Sequence, residues 1–189
     1  MGRVCGVAGF VVRPAGVRGG DGKGTFAFLC LLFKERSVAF SLSSSAFSPG
    51  GSIPVEFTCD GGSVSPPLAW ADAPPGTRSF ALVAHDPDAP MGDVTHWLLF
   101  NLPGEAAHLP PGTDGEGVPG TNSMDAIGYS GPCPPPGDTA HRYVFTLYAL
   151  SVDRLGLDDS ARREAIENAF EDHLLAQAQL VGTYARASG

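Results

Sequence analysis

From residue 38 onward, the chain alternates short apolar runs with turns rich in proline and glycine, and this alternation limits what it can fold into. Proline cannot donate to a β-ladder and glycine weakens one, so each turn ends one strand before the next begins. Strands separated in this way are typical of a mostly β domain and not of a helical bundle. The predicted strands cover residues 38–43, 53–59, 78–85, 94–101 and 141–150.

One segment, residues 158–178, has the periodicity of an amphipathic helix. Two aspartates and a serine open it, and their side-chain oxygens can accept hydrogen bonds from the N–H groups of the first turn. The helix is expected to end before Gly182, and residues 179–184 are predicted to form a short closing strand. The apolar side chains that recur at helical spacing on one face are Ile166, Ala169, Phe170, Leu174 and Ala178.

The 189 residues fit one medium-sized domain, which we place at residues 38–189. Residues 1–37 are rich in glycine and arginine, and we expect a disordered extension, a targeting leader or the product of a start codon placed too far upstream. The protein is expected in the cytoplasm, or is exported or organellar if residues 1–39 act as a targeting segment. The longest mostly apolar stretch, residues 25–33, is far shorter than the roughly 20 residues that a membrane-spanning helix needs.

The charge is divided unevenly along the chain. Residues 1–40 hold six basic and two acidic residues, whereas residues 41–189 hold six basic and 18 acidic residues. An acidic body repels polyanions at long range, which argues against nucleic-acid binding and against stable association with an anionic membrane. Any anion that the domain binds must therefore be held locally, inside a pocket.

The four cysteines are far apart and form no C-x-x-C pair, which argues against a zinc ribbon or a thioredoxin-like site. A disulfide between Cys59 and Cys133 stays open at this level, although two half-buried thiols are the favoured interpretation. No metal or other cofactor is expected.

Side chains suited to chemistry lie at the ends of the predicted strands. His85, Asp86 and Asp88 follow an apolar run, and the prolines after them fix the turn that presents them. An Asp-Pro-Asp sequence is also common in ordinary turns, where the carboxylates cap local N–H groups.

Two later strands contribute further candidates. Strict alternation puts His96 on the same strand face as Leu98 and Phe100, a mostly apolar setting in which a histidine is often only a packing residue. His141 and Tyr143 stand two residues apart at the head of the last long strand, so both project from one face. Imidazoles, a tyrosine hydroxyl and backbone N–H groups can donate to phosphate or carboxylate oxygens, and an aspartate beside one imidazole would fix its tautomer. Together these groups predict a pocket for a small anion.

Four sequence blocks carry a more specific signal: residues 85–90 (HDPDAP), 95–103 (THWLLFNLP), 128–137 (GYSGPCPPPG) and 141–150 (HRYVFTLYAL). In this order and spacing they resemble the phosphatidylethanolamine-binding protein family, in its bacterial Raf-kinase-inhibitor-like branch. The resemblance implies a large central antiparallel sheet packed on a smaller sheet, with a few peripheral helices. It also implies a surface pocket for phosphate, acetate or a phosphorylated head group, no catalytic activity, and regulation of a protein partner as a further role.

Carried over position by position, the resemblance assigns six residues that contact the ligand. His85, Asp88 and Cys133 are expected to surround them and support the pocket. Residues 121–127 follow the family pattern only loosely, so one wall of the cavity has no assigned residue. The six ligand-binding residues are Asp86, His96, Gly131, Pro132, His141 and Tyr143.

Two other functions stay open. A hydrolase would use Asp86 and a histidine as a polarised pair with Cys133 as a conceivable nucleophile, although no G-x-S-x-G motif is present. A metal site would have suitable ligand types but lacks a local spacing such as H-x-x-x-H. Its ligands would be His85, Asp86, Asp88, His96 and His141. The oligomeric state is not predicted.

Overall fold

The computed structural model describes residues 39–188, and the predictions for residues 1–37 lie outside this range. Within the described residues, eight strands form two antiparallel sheets, which confirms the predicted fold class. No helix between residues 39 and 188 is long and apolar enough to cross a membrane. The strands are β1 (Ser41–Ser43), β2 (Leu68–Ala71), β3 (Ser79–Asp86), β4 (Val94–Pro103), β5 (His108–Leu109), β6 (Val118–Pro119), β7 (His141–Leu150) and β8 (Leu174–Tyr184).

The larger sheet has the strand order β6-β4-β3-β7-β8, and the smaller sheet has the order β1-β2-β5. One α-helix, α1 (Arg163–Phe170), lies between β7 and β8 in the chain. Two short 3-10 turns, Val55–Phe57 and Glu171–His173, complete the regular structure described.

The central strands of the larger sheet bury side chains on both faces. Leu82 of β3 belongs to a core shared with Trp70 of the smaller sheet. Its neighbour Val83 belongs to a second core, to which α1 contributes Ile166 and Phe170. Because successive strand residues point to opposite faces, burial on both sides requires the nearly continuous apolar runs seen in β3 and β4.

Most of the predicted long strands are present. Residues 78–85 and 94–101 correspond to β3 and β4 with small shifts at the ends, and residues 141–150 coincide with β7. The predicted strand 38–43 contains the shorter β1. Strands β2, β5 and β6 were not predicted, because each is only two to four residues long.

The prediction of a strand at residues 53–59 is wrong. The segment instead forms a 3-10 turn after Pro54, which the Thr58 hydroxyl closes by donating to the carbonyl of Val55 at 2.8 Å. The N–H of Ile53 donates to the carbonyl of Thr183 at 2.8 Å, as part of an isolated bridge between Ser52 and Thr183.

The prediction of one helix over residues 158–178 is wrong at both ends. The α-helix begins only at Arg163, and its N-cap residue, Arg162, makes no side-chain capping hydrogen bond. The predicted capping residues Asp158 and Ser160 instead hydrogen-bond to each other in the turn before the helix.

The α-helix ends at Phe170, and β8 begins at Leu174 and pairs with β7 along its length. Leu174 and Ala178, assigned to the apolar helix face, are therefore strand residues. The cross-strand pairing outweighs the local helical preference of this segment.

Candidate functional site

One end of the larger sheet brings most of the predicted site residues together. β3 ends at Asp86 and β7 begins at His141, and antiparallel pairing of these neighbouring strands puts both residues at the same end. A cavity of about 840 Å³ opens there, lined in part by Asp86, His96, Gly131 and His141. This volume is in the range of small-molecule binding sites.

Asp86 holds His141 in place. The carboxylate is 3% exposed, its Oδ2 accepts from Nδ1 of His141 at 2.8 Å, and its Oδ1 accepts from the N–H of Asp88 at 2.8 Å. Because a carboxylate accepts and does not donate, the ring proton lies on Nδ1 of His141. The other ring nitrogen, Nε2, is left for the cavity and lies 3.8 Å from the Asp138 carboxylate.

His96 reaches the cavity because of an irregularity in β4. Ala84 pairs with Trp97 and His85 pairs with Thr95, so His96 is the extra residue between two pairs. Such a bulge redirects a side chain. The expectation that His96 shares a face with Leu98 is therefore wrong, since its ring packs edge-on against Tyr143 at 5.3 Å.

The His96 ring is buried, and the carboxylate of Asp86 lies near it. Its Nδ1 lies 2.9 Å from the carbonyl oxygen of Ser130, which can only accept, so the proton lies on Nδ1 here as well. Burial lowers the pKa of His96 and outweighs the opposing effects of the Ser130 carbonyl and the Asp86 charge. His96 is consequently a neutral ring over most of the physiological range.

The proline-rich loop, residues 128–137, packs tightly against the 3-10 turn Val55–Phe57. A Cβ on Gly131 would lie 2.8 Å from the carbonyl oxygen of Phe57, so only glycine allows this approach. The carbonyl of Pro132 accepts from the N–H of Cys59 at 3.1 Å, and Pro132 therefore supports the wall without lining the cavity.

A disulfide joins Cys59 to Cys133, with Cα atoms 5.4 Å apart. The favoured interpretation of two half-buried thiols is therefore wrong. Both residues line the cavity, so the bond clamps the proline-rich loop to the turn beneath it. The sulfur of Cys133 is bonded and does not supply the nucleophile that a hydrolase would need.

Asn122 organises the wall to which no residue was assigned. Its side chain is fully buried, and Nδ2 donates to Ser130 Oγ at 2.8 Å and to the Gly128 carbonyl at 3.2 Å. Its Oδ1 accepts from the N–H groups of Met124 and Ala126. One amide thus joins the loop bearing Met124 to the loop bearing Ser130. A lone asparagine in a loop is only a weak sequence signal for this role.

Tyr143 lies behind the cavity and does not line it. Its hydroxyl is one of two buried side-chain atoms that make no hydrogen bond within residues 39–188. Burial raises the pKa of Tyr143 strongly, and the nearby Asp86 charge adds to this effect. The structure therefore places Tyr143 against His96 as a packing partner.

His85 and Asp88 lie beside the cavity and have other partners. His85 Nδ1 lies 2.5 Å from Oδ1 of Asp93, a lining residue that sequence reasoning missed. Asp88 binds the guanidinium of Arg142 at 2.7 and 2.9 Å, and these bonds lower the pKa of Asp88 to about 2. Because their side chains are engaged elsewhere, they do not form a cluster with the pocket histidines. Within residues 39–188, no group of three His, Cys, Asp or Glu side chains is arranged to hold a metal ion.

The exposed part of the cavity lining, which we call its mouth, is largely apolar. Met91 is 94% exposed and Met124 is 45% exposed, and both line the cavity together with the exposed Pro90 and Pro135. The exposed polar lining residues are Ser63, Asp93 and Ser123. Exposed methionines are adaptable contact surfaces for varied apolar groups. The polar floor and the apolar mouth together fit a ligand with an anionic end and an organic substituent.

Comparisons with known proteins bear on the family and the fold of the chain. The family model described as phosphatidylethanolamine-binding protein matches residues 43–185. A UPF0098 protein of Aquifex aeolicus is 41% identical over 160 residues, which cover 82% of this chain and 94% of that protein. A UPF0098 protein of Methanothermobacter thermautotrophicus is 42% identical over 156 residues, covering 77% of this chain and 99% of that protein.

Two solved structures are similar in fold. A putative phosphatidylethanolamine-binding protein homologue from Chlamydia trachomatis has a TM-score of 0.74 and 38% identity, and the match covers 78% of this chain and 98% of that one. YbcL of E. coli, described as a new member of the mammalian family, has a TM-score of 0.72 and 30% identity, with 77% and 98% covered.

Proposed function

The chain belongs to the phosphatidylethanolamine-binding protein family, and from that premise we propose that its pocket binds a small anion, such as phosphate or a phosphorylated head group, without chemical turnover. One observation carries the proposal. Nε2 of His96, Nε2 of His141 and the N–H of Gly131 make no hydrogen bond within residues 39–188, and all three residues line one cavity. A backbone N–H and a protonated imidazole donate to phosphate and carboxylate oxygens, and a neutral Nε2 accepts from a protonated phosphate oxygen.

The site has little positive charge of its own. Among the described residues, the cavity lining contains no lysine or arginine. The Arg142 guanidinium is bound to Asp88 beside the pocket. Imidazole and amide donors hold an anion less tightly than a fork of arginines does, and an imidazole responds to pH. We therefore expect modest affinity that weakens as the pH rises.

The apolar mouth supports a ligand that carries an organic group. A cavity of about 840 Å³ is larger than one phosphate ion needs. Met91 and Met124 can pack against such a group while the anion lies between the histidines. Because the cavity has a polar floor and an apolar mouth, we propose phosphorylated organic molecules as ligands in addition to free phosphate.

The contacts of the pocket give no support to the hydrolase alternative. Cys133 is bonded to Cys59. The hydroxyl oxygens of Ser123 and Ser130 accept hydrogen bonds from Thr95 N–H and from Asn122. Within residues 39–188, no serine hydroxyl is hydrogen-bonded to the ring of a pocket histidine, since His96 bonds to the backbone carbonyl of Ser130. An activated nucleophile requires such a contact with a base. We therefore propose binding without catalysis.

The disulfide bears on the location of the protein. Disulfides persist in oxidising compartments and are rare in most cytoplasms. Of the two expected locations, the Cys59–Cys133 bond favours an exported protein over a cytoplasmic one. Alkylation of free thiols in fractionated cells, followed by peptide mapping, would test this. Cytoplasmic protein with both thiols free would contradict it.

The proposed ligand is not a polyanion. The excess of acidic residues in the domain opposes nucleic acid and anionic membrane surfaces, and head-group binding does not require membrane binding. A protein partner regulated through this pocket remains a prediction from the family resemblance.

The experiment is an NMR titration of the full chain with inorganic phosphate and with O-phosphoethanolamine. We expect saturable shifts of the His96 and His141 ring signals. The double variant His96→Ala, His141→Ala should remain folded by its amide spectrum and stop responding. His108→Ala is the matched control, since His108 is exposed in β5 and outside the cavity. Unchanged ring signals with both ligands would overturn the proposal.

A further inference from the structure

Both pocket histidines donate their Nδ1 proton into the protein. His141 donates to the Asp86 carboxylate at 2.8 Å, and His96 donates to the Ser130 carbonyl at 2.9 Å. The carbonyl oxygen of Ser130 carries no proton, and the two oxygens of Asp86 accept from His141 and from the N–H of Asp88. The same tautomer is therefore imposed on both rings.

The Nε2 atoms are left for the ligand. Neither one makes a hydrogen bond within residues 39–188, and neither is among the buried side-chain atoms that lack a partner. They are thus accessible from the cavity that both residues line. In a neutral imidazole with its proton on Nδ1, Nε2 is an acceptor and repels an approaching anionic oxygen.

We propose that the pocket selects anions that bring their own acidic proton, namely hydrogen phosphate as the free ion or as a phosphomonoester, over anions of the same shape that have none. This inference rests on the proposed function and names its ligand class. The P–O–H group of the ligand donates to Nε2 of His96. The remaining oxygens accept from the Gly131 N–H and from His141 when that ring is charged.

His96 is the better acceptor of the two rings because of what surrounds it. No lysine or arginine is among the groups that face it, and the residue is 7% exposed. Burial lowers its pKa, so taking a proton from solvent to hold a proton-free anion is unfavourable. The groups that face it are Asp86 and His85 from β3, Tyr143 from β7, and the carbonyls of Ser130 and Gly131 from the proline-rich loop.

Two kinds of phosphorylated ligand differ in whether they carry this acidic proton. A phosphomonoester has a second pKa of about 6, so it carries a proton in slightly acidic solution. A phosphodiester, as in an intact phospholipid, has no such proton near neutral pH. A free monoester head group should therefore bind better than the diester form of the same head group.

The test is calorimetric titration of the full chain at about pH 6, where both phosphate and monoesters keep a proton. Four probes are used: inorganic phosphate, sulfate, O-phosphoethanolamine and glycerophosphoethanolamine. We expect phosphate to bind about tenfold more tightly than sulfate, and the monoester about tenfold more tightly than the diester, because a buried acceptor without a donor is costly. Comparing the affinities for phosphate and for O-phosphoethanolamine shows whether the pocket prefers the free ion or the phosphorylated head group.

Two variants test whether His96 is responsible for the preference for phosphate over sulfate. In His96→Gln the amide can donate to sulfate, so the preference for phosphate over sulfate should fall toward unity. His108→Gln is the matched control and should keep the full preference. If wild type binds phosphate and sulfate equally, the inference is overturned while anion binding stands. If it binds none of the four probes, the proposed function fails as well.

Discussion

Nδ1 of His141 lies 2.8 Å from Oδ2 of Asp86, and the two side chains are 5% and 4% exposed. The contact joins the end of β3 to the start of β7. A buried carboxylate is tolerated when its oxygens are hydrogen-bonded, and Asp86 meets this condition through His141 and the N–H of Asp88. The pair therefore lies at the floor of the cavity, and it fixes the tautomer of the His141 ring.

Asp86→Asn should reverse the tautomer of His141. The amide oxygen can still accept from the N–H of Asp88, but the amide nitrogen donates to the ring, so Nδ1 becomes the acceptor and Nε2 carries the proton. We expect a loss of about 1–3 kcal/mol in the free energy of unfolding. Nitrogen-15 spectra of the imidazoles report the tautomer, and urea unfolding reports the stability.

Asp138→Asn is the matched control, because this carboxylate is exposed and lies 3.8 Å from Nε2 of the same ring. It should leave the tautomer and the stability close to wild type. An Asp86→Asn protein that keeps its proton on Nδ1 would show that Asp86 does not position the ring.

Gly131→Ala should push the proline-rich loop away from the turn beneath it. The added Cβ would lie 2.8 Å from the carbonyl oxygen of Phe57 and from the backbone of Thr58, and backbone atoms cannot move aside cheaply. Overpacking of this kind costs about 1–3 kcal/mol. Urea unfolding measures the cost, and phosphate titration should also show weaker binding.

The control for this substitution is Gly156→Ala, where a Cβ would meet no atom within 4 Å. Its free energy of unfolding should stay within about 0.5 kcal/mol of wild type. Equal stabilities for the two alanine variants would mean that the close approach at Gly131 is not needed.

The sequence predicts some secondary-structure elements more accurately than others. Both ends of β7 were predicted correctly, because its ten residues follow the strand pattern and begin after a proline-rich turn. Residues 174–178 were misassigned because their spacing fits a helix, and only the pairing with β7 decides for a strand. The local sequence pattern is therefore sufficient to predict an element only where pairing with a distant strand does not compete with it.

The residues of the site also differ in how well the sequence predicts them. Asp86 and His141 were found because they stand at strand ends with a family motif around them. His96 was found as a residue, but its orientation depends on a one-residue bulge in β4 that no periodicity reveals. Asn122 and Asp93 were missed because a single polar residue in a loop has no pattern, and its role comes from contacts made across the fold.

The pH dependence of stability should carry a contribution from His96. Its pKa in the folded protein lies below the ordinary value of 6.5. Above that value the ring is neutral in both states, and as the pH falls through it the unfolded chain binds the proton first, so stability is lost. We expect the free energy of unfolding to decrease below about pH 6.5 less steeply in His96→Gln than in wild type. His108→Gln should follow wild type, and parallel curves for all three proteins would contradict the assignment.

Loss of the Cys59–Cys133 bond should both destabilise the domain and loosen the cavity. The bond spans 74 residues, and closing a loop of this size typically stabilises a protein by about 2–4 kcal/mol. The double variant Cys59→Ser, Cys133→Ser should lose stability in this range and bind phosphate more weakly, because the loop that carries Gly131 is no longer clamped. Reductant supplies the control within one experiment, since it should lower the stability of wild type to that of the double variant and leave the double variant unchanged. If reductant leaves the wild-type protein at its original stability and phosphate affinity while mass spectrometry shows both thiols free, the clamp has no mechanical role in the pocket.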